Sequence, residues 1–152
     1  MITKQLTHPE SIVVVGGSND VSKPGGKVLK NLIDGGFRGK IYVLNPKETM
    51  VQGINSYPDP HHLPDCDLAV IAIAARFVPD LVDELITHKK TRAFIILSAG
   101  FSEESIEGKI LEDRIVASIN AVGGSLIGPN CVGILTPQHH SIFTWPIPEL
   151  TP

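Results

Sequence analysis

The sequence VVVGGSNDVSKPGGKVLKNL, residues 13–32, passes from a run of valines through a glycine-rich turn into a helical pattern. Glycines allow the backbone to turn tightly and to approach a ligand closely, and the first turn of a helix presents N–H groups to phosphate. The glycine spacing differs from GxGxxG and no GK[ST] follows, so neither the dinucleotide fingerprint nor a P-loop is present. The turn therefore indicates a phosphate site, with a purely structural strand-to-helix turn as the alternative.

The rest of the chain continues this alternation of strands and helices. Five runs rich in Val, Ile and Leu predict strands: Ser11–Val15, Lys40–Leu44, residues 68–72, residues 93–97 and Ser125–Ile127. Continuous apolar runs are typical of strands buried on both faces of a parallel sheet. We therefore predict an α/β fold, a Rossmann-like, doubly wound, mainly parallel sheet with helices on both faces. Ligands of such folds bind beyond the carboxyl ends of the strands.

Three helices are predicted between these strands. The first covers residues 26–34 and ends at the Gly35–Gly36 pair. The second covers residues 77–89 and places five apolar side chains on one face, namely those of Phe77, Leu81, Val82, Leu85 and Ile86. The third covers residues 103–120, with Ser102 as its N-cap. Prolines make residues 52–64 a loop or a short edge strand.

Composition excludes several function classes. The chain has 152 residues, 42% of them hydrophobic and 19% charged, which indicates a folded domain with a core. A net charge of −3 argues against nucleic acid as a partner. The apolar runs are shorter than the roughly twenty residues of a membrane span, and the start lacks the pattern of a signal peptide. We expect a cytoplasmic protein that binds no membrane, with Cys66 and Cys131 as free thiols.

Lys47 narrows the choice of ligand. The second strand ends in YVLNPK, where an NAD-binding fold usually carries an acidic residue for the ribose hydroxyls. A lysine there suits a ribose that bears a phosphate, as in coenzyme A or NADP. The alternative is a solvated surface lysine.

Two further strand ends carry candidate residues. The run ILSAGF, residues 96–101, ends a strand with small residues that let a ligand chain pass along the backbone, unless it is only a tight loop. In IGPNCVGI, residues 127–134, Asn130 lies in a turn where it either bonds a ligand or caps its own loop. Cys131 lies beside it, and a small buried thiol is the commoner role for such a cysteine.

Four segments together resemble one family. They are HPESIVVVGGSND with GGKVLKNLIDGGFRGKIYVLNPK, then DLAVIAIAARFVPDLVDEL, FIILSAGFSEE and IGPNCVGIL. In order and spacing the chain resembles the nucleotide-forming acyl-CoA synthetases, ADP-forming acetyl-CoA synthetase among them, and the related alpha subunit of succinyl-CoA ligase. The likeness covers residues 6–136. It implies a CoA-binding domain over residues 1–136 and a linker toward a following domain over residues 137–152.

The resemblance also implies a set of residues that bind coenzyme A. The glycine turn would hold the pyrophosphate, Lys47 the phosphorylated ribose, residues 98–100 the pantetheine, and Asn130 the lower wall. The full set of candidate binding residues is Gly16, Gly17, Ser18, Asn19, Gly25, Gly26, Lys47, Ser98, Ala99, Gly100 and Asn130.

In the family, acyl-CoA, phosphate and ADP give the acid, CoA and ATP through an acyl phosphate and a phosphohistidine. The resemblance places that histidine in a following domain and implies histidine-bearing and ATP-grasp domains as partners. We therefore expect no catalytic residue and no metal ligand in this chain. His139 and His140 are interpreted as solvated linker histidines, and the His61–His62 pair lacks further metal ligands. The alternative functions are a stand-alone CoA-binding regulatory module and an NAD(P)-binding one.

Overall fold

The apolar runs form one seven-stranded sheet in the computed structural model, which describes residues 2–143. Its strands are β1 (Ser11–Val15), β2 (Lys40–Leu44), β3 (Met50–Val51), β4 (Ile54–Tyr57), β5 (Leu68–Ile71), β6 (Ala93–Ile96) and β7 (Ser125–Ile127). They lie in the order β3-β4-β2-β1-β5-β6-β7. Every neighbouring pair is parallel except β3 and β4. The five predicted strands are confirmed to within one residue.

Helices cover both faces of the sheet. They are α1 (Lys4–Thr7), α2 (Pro24–Asp34), α3 (Val78–Lys89) and α4 (Ile106–Ala121), with 3₁₀ turns at Pro60–His62 and Ala75–Phe77. Val13 and Val15 pack in one buried cluster with residues of α3 and α4, and Ile12 and Val14 pack in a second cluster with residues of α2. This alternation confirms the doubly wound, Rossmann-like fold. None of the helices in residues 2–143 is both long and apolar enough to span a bilayer.

The predicted linker of residues 137–152 contains a short strand that the sequence pattern did not indicate. A second, two-stranded sheet pairs β8 (Gly133–Leu135) with β9 (His140–Ile142), and the hairpin packs on α2. The Asn31 side chain, which is 1% exposed, donates a hydrogen bond of 2.7 Å to the carbonyl oxygen of Ile142. Residues 144–152 of the predicted linker lie outside the described residues, and the domain boundary at residue 136 stays a prediction.

His139 is buried, so its interpretation as a solvated histidine is wrong. Its ring is 1% exposed. Nε2 donates to the carbonyl oxygen of Leu6 at 2.7 Å, and Nδ1 lies 2.7 Å from the hydroxyl of Ser141. Because a carbonyl only accepts, Nε2 carries the proton of the neutral ring. His139 thus joins the first helix to the β8–β9 hairpin, a contact between residues 133 positions apart in sequence.

All three predicted helices start at other residues: α2 begins at Pro24, α3 at Val78 and α4 at Ile106. The N-cap of α4 is Ser105, whose hydroxyl accepts from the N–H of Gly108 at 2.9 Å, because the hydroxyl of Ser102 instead donates to Glu112. Phe77 was predicted on the buried face of the second helix and is 55% exposed. It belongs to the 3₁₀ turn before α3, which shifts its angular position, and the Arg76 guanidinium lies 4.5 Å from its ring centroid.

Residues 52–64 contain a strand one position inside the sheet edge. β4 pairs with β2 on one side and with β3 on the other, so β3 is the edge strand. The three prolines of the segment all follow Tyr57 and leave the ladder of β4 intact. This hairpin is one wall of the site described below.

The burial of His139 predicts acid sensitivity. Burial lowers the pKa of its imidazole below the ordinary 6.5, although the bond to Leu6 opposes the shift. The unfolded chain therefore takes up this proton more readily than the folded chain. We expect the free energy of unfolding to fall as the pH drops below 6.5, with a slope from this group of up to about 1.4 kcal/mol per pH unit. Urea denaturation at pH 7.5, 6.5 and 5.5 measures the slope.

His139→Gln removes this titration, so its stability should depend less steeply on pH over the same range. His61→Gln, at an exposed position, is the control and should keep the slope of the unsubstituted chain. Equal slopes for the chain and His139→Gln would show that His139 does not cause the acid sensitivity.

Candidate functional site

The carboxyl edge of the parallel sheet gathers the candidate residues. β1 lies at the centre, with β2 on one side and β5 on the other, so the chain winds outward in two directions from this point. In doubly wound sheets a crevice opens where the winding direction reverses. The glycine turn, residues 16–23 between β1 and α2, lies at this reversal. Lys47 follows β2, residues 98–100 follow β6, and Asn130 follows β7.

The glycine turn is packed so closely that side chains are excluded from it. Gly16 has φ +84° and donates its N–H to the carbonyl oxygen of Leu44 at 3.0 Å. A Cβ on Gly25 would collide with the carbonyl oxygen of Gly16, and one on Gly26 would collide with that of Asp20. The first turn of α2 therefore lies directly against the turn that precedes it. This contact is the physical reason for the glycines at these positions.

Several N–H groups of the glycine turn and of the first turn of α2 have no acceptor among the described residues. Within residues 2–143, no hydrogen-bond partner is present for the N–H groups of Gly17, Ser18, Asn19, Gly25 and Gly26. Gly17, Gly25 and Gly26 are buried residues. Buried backbone N–H groups are almost always paired, with ordered water or a ligand where no protein acceptor exists. Unpaired donors at the positive end of a helix dipole form a site suited to an anion.

Asn45 ties the end of β2 to the glycine turn. Its Nδ2 donates to the carbonyl oxygen of Gly17 at 3.0 Å, and its Oδ1 accepts from the N–H of Lys47 at 2.9 Å. The side chain of Lys47 is exposed, and its ammonium group makes no ion pair with any residue from 2 to 143. The structure thus brings an uncommitted cation to the segment next to the unpaired N–H groups.

Gln52 also contacts the candidate site, although no pattern in the sequence indicated it. It lies in the turn between β3 and β4, and its Nε2 donates to the carbonyl oxygens of Ser18 at 2.8 Å and Gly26 at 2.9 Å. Asn19 completes the contact, because its Oδ1 accepts from the N–H of Gln52 at 2.7 Å. The only local signal is the Gln-Gly pair of a hairpin turn, which does not reveal where the side chain reaches.

A cleft of about 410 Å³ continues from the start of α2 along the ends of β5 and β6. The Ser98 hydroxyl donates to the carbonyl oxygen of Ile73 at 2.5 Å, and Ser98 accepts through its own carbonyl from the N–H of Asn130 at 2.9 Å. Asn130 has φ +54°, a backbone conformation that asparagine tolerates. The lining residues are Pro24, Ala72, Ile73, Ala74, Leu97, Ser98, Ala99, Asn130 and Phe143. Pro24, the β5 end and Phe143 are additions to the predicted set.

Gly100 stands apart from this cleft. Its φ is +100°, and its N–H donates to Oε1 of Glu103 at 2.7 Å, as does the N–H of Phe101 at 3.1 Å. The bond from Phe101 is the largest of the effects that lower the pKa of Glu103. The N–H of Gly100, a residue predicted to line the pantetheine path, is thus bonded to a carboxylate of the same chain.

Neither thiol is activated. Cys66 and Cys131 are free, as predicted. Burial raises the pKa of Cys66 to about 11 and also raises the pKa of Cys131, whose Sγ lies 3.4 Å from the carbonyl oxygen of Ile96. Both therefore hold little nucleophilic thiolate near neutral pH. Residues 2–143 contain no group of three or more His, Cys, Asp or Glu side chains that could hold a metal ion.

Comparison with known proteins identifies relatives across most of the chain. Acetate–CoA ligase (ADP-forming) II of Archaeoglobus fulgidus is 35% identical over 145 residues, which is 95% of this chain and 21% of the relative. Acetate–CoA ligase (ADP-forming) II subunit alpha of Pyrococcus furiosus is 39% identical over 130 residues, 84% of this chain and 28% of the relative. The chain thus spans less than a third of the length of these relatives.

A solved structure has the same fold. The dinucleotide-forming acetyl-coenzyme A synthetase 1 of Ca. Korarchaeum cryptofilum, in complex with phosphate and ADP, superposes with a TM-score of 0.83 at 31% identity. The match covers 92% of this chain and 30% of that one. A family model described as a CoA binding domain matches residues 10–137. The chain therefore belongs to the family of CoA-binding domains, and its relatives are ADP-forming acetyl-CoA synthetases.

Proposed function

We propose that the chain is the coenzyme A-binding part of an ADP-forming acyl-CoA synthetase. The complete enzyme would convert acyl-CoA, ADP and phosphate to the acid, CoA and ATP. The names of the relatives support this reaction, and the observation that carries the binding site is the set of unpaired N–H groups in the glycine turn. The ligand carries a pyrophosphate, a ribose phosphate and a thiol arm, and the site offers a separate feature for each.

The pyrophosphate would bind at the start of α2. The N–H groups of Gly17, Ser18, Asn19, Gly25 and Gly26 are without acceptors among the described residues, and the dipole of α2 adds partial positive charge. Gly16 contributes its backbone conformation, with φ +84°, rather than a donor, because its N–H is already bonded to the carbonyl oxygen of Leu44. A chain with a net charge of −3 needs such local donors to hold a dianion.

The ribose phosphate would pair with Lys47. Asn45 holds the backbone of Lys47 and the carbonyl of Gly17 at once, so the ammonium group and the turn belong to one bonded unit. An ammonium group beside a phosphate forms a charge-assisted hydrogen bond, which is about twice as strong as a neutral one.

The pantetheine arm would lie in the cleft along β5 and β6. Ile73, Ala74 and Ala99 contribute small or apolar surface, and Ser98 and Asn130 hold the two loops of the cleft together. Gly100 would shape the loop beside Ala99 through its φ of +100° rather than donate to the ligand, because Glu103 already accepts from its N–H.

In this proposal the chain binds and orients CoA and leaves the chemistry to other parts of the enzyme. Phosphate would attack the thioester carbonyl, which releases CoA as the thiol and forms an acyl phosphate. The phosphoryl group would then pass to a histidine, which frees the acid, and from the histidine to ADP. We propose that histidine-bearing and ATP-grasp domains supply these steps. His139 does not suit the role, because the protein itself occupies both of its ring nitrogens.

Lys47→Ala should separate CoA from dephospho-CoA. Loss of a charge-assisted bond costs about 1.5–3 kcal/mol, so we expect the Kd for CoA to rise roughly tenfold or more. Dephospho-CoA lacks the phosphate that Lys47 would contact, and its Kd should not change. Calorimetric titration of both ligands measures the difference.

Lys40→Ala is the matched control, because Lys40 is an exposed lysine at the opposite end of the same strand. It should leave both dissociation constants unchanged. Equal weakening of CoA and dephospho-CoA by Lys47→Ala would contradict the assignment. Tighter binding of NAD or NADPH than of CoA by the unsubstituted chain would overturn the proposed ligand.

Gly25→Ala should disrupt the pyrophosphate site. The new methyl group would collide with the carbonyl oxygen of Gly16, so α2 must move away from the turn. We expect the Kd for CoA and for dephospho-CoA to rise at least about tenfold, which corresponds to about 1.4 kcal/mol. Gly36→Ala is the control at the other end of α2: its Cβ meets no atom within 4 Å but strains a backbone of φ +69°, so it should lower stability and leave both dissociation constants unchanged. CoA binding by Gly25→Ala as tight as that of the unsubstituted chain would place the pyrophosphate elsewhere.

Acetyl-CoA should bind this chain without being consumed. Acetyl-CoA and CoA share the nucleotide and pantetheine groups, so we expect their dissociation constants to agree within about threefold. With phosphate and ADP added, a thiol reagent should detect no CoA release by the chain alone. Thiol release at a rate proportional to protein concentration would show that this chain contains a catalytic centre.

A further inference from the structure

The turn between β3 and β4 reaches into the glycine turn. Gln52 has φ +50° and Gly53 has φ +81°, the left-handed conformations of a tight hairpin turn. The Gln52 side chain reaches Gly26 and Ser18, which lie 26 and 34 positions earlier in the sequence. Both hydrogens of its amide group are used, one on the carbonyl of Ser18 and one on the carbonyl of Gly26.

Two further bonds make the contact reciprocal. Asn19 accepts from the N–H of Gln52 through Oδ1 and donates through Nδ2 to the carbonyl oxygen of Met50 at 3.2 Å. The hairpin is therefore joined to the glycine turn by three hydrogen bonds and to the first turn of α2 by a fourth. Two come from the Gln52 side chain, and two involve the Asn19 side chain.

These bonds orient the peptide groups that bear the unpaired donors. In a planar trans peptide the C=O and the following N–H point in opposite directions. Fixing the carbonyl of Ser18 on Gln52 therefore turns the N–H of Asn19 away from the hairpin. In the same way, the bond from Asn45 to the carbonyl of Gly17 turns the N–H of Ser18 away from β2. Neither N–H has an acceptor among residues 2–143.

The side-chain amides of Asn45 and Gln52 also hold both ends of the segment that contains Lys47. Asn45 binds the turn at one end of residues 45–52, and Gln52 binds it at the other end. Lys47 lies between these two attachments. The segment that carries the cation is thus held against the segment that carries the N–H groups.

We propose that Gln52 is a positioning residue of the CoA site, an inference that rests on the proposed function. It makes no contact with the ligand. It holds the peptide groups of Ser18 and Asn19, and the first turn of α2, in the orientation that receives the pyrophosphate before the ligand arrives. Groups that are already ordered lose less conformational entropy on binding, which raises affinity.

Gln52→Asn is the variant that tests this role. Asparagine keeps an amide group and tolerates positive φ, so the hairpin turn is preserved, but its side chain is one methylene too short to reach both carbonyls. We expect the Kd for CoA and for dephospho-CoA to rise equally, by roughly tenfold, as measured by calorimetry. This pattern differs from that of Lys47→Ala, which should affect CoA alone. Gln52→Glu, an isostere without donors, should weaken both ligands further because its carboxylate faces two carbonyl oxygens.

Asn55→Ala is the matched control, since Asn55 is an exposed amide on β4 of the same hairpin whose side chain bonds none of the described residues. It should bind both ligands as the unsubstituted chain does. Thermal unfolding without ligand, followed by circular dichroism, shows whether each variant is folded at the titration temperature. A lower Tm for Gln52→Asn with unchanged dissociation constants would mean that Gln52 only attaches the hairpin, which overturns its positioning role. Failure of the unsubstituted chain to bind CoA would overturn the proposed function and this inference together.

Discussion

The site depends on the contact between the first turn of α2 and the glycine turn before it. Because Gly25 lies against the carbonyl oxygen of Gly16, there is no room for a side chain between the helix and the end of β1. The close approach brings the helix N-terminus and the N–H groups of the turn to one place. It also fixes where α2 lies on the sheet, and therefore where its buried residues meet Ile12 and Val14. Packing of the core and formation of the anion site thus follow from one backbone contact.

Side-chain amides, rather than charges, hold this arrangement together. Asn45 and Gln52 each donate to carbonyl oxygens of the turn, and Asn19 returns bonds to the hairpin. A neutral amide can hold a carbonyl without adding charge, so the attraction for an anion comes from the backbone N–H groups and the helix dipole. Lys47 is the one side-chain cation that the proposal assigns to the ligand. This division of roles is consistent with an acidic chain that binds an anionic ligand.

The elements were predictable where the signal was local. Mainly apolar runs identified five neighbouring strands of the sheet, from β2 to β7, because strands buried on both faces carry few polar residues. The glycines and Lys47 stood out because few residue types suit their backbone or charge. The start of α4 was misplaced because serine is a plausible cap at both 102 and 105, and only the tertiary structure shows that Ser102 bonds Glu112 while Ser105 caps the helix.

Contacts between distant segments were not predictable. His139 looked like a linker residue because its partner Leu6 lies at the other end of the chain. Gln52 lacked any signal because its partners lie 26 and 34 positions away. The β9 strand was missed for a similar reason, since two of its three residues, His140 and Ser141, are polar and its packing partner is the distant α2. Conformation at these places is set by tertiary packing, which a single sequence does not display.

The carboxylate of Glu103 gives the cleft two unlike ends. Near Gly25 the backbone amides are without acceptors among the described residues, whereas beyond Ala99 the amides of Gly100 and Phe101 already donate to the Glu103 carboxylate, whose pKa they lower. A long molecule with phosphates at only one terminus is attracted to the first end and repelled from the second. In the proposed CoA complex this distribution favours one direction of docking, with the nucleotide terminus on the side of Gly25 and the sulfur terminus on the side of Glu103.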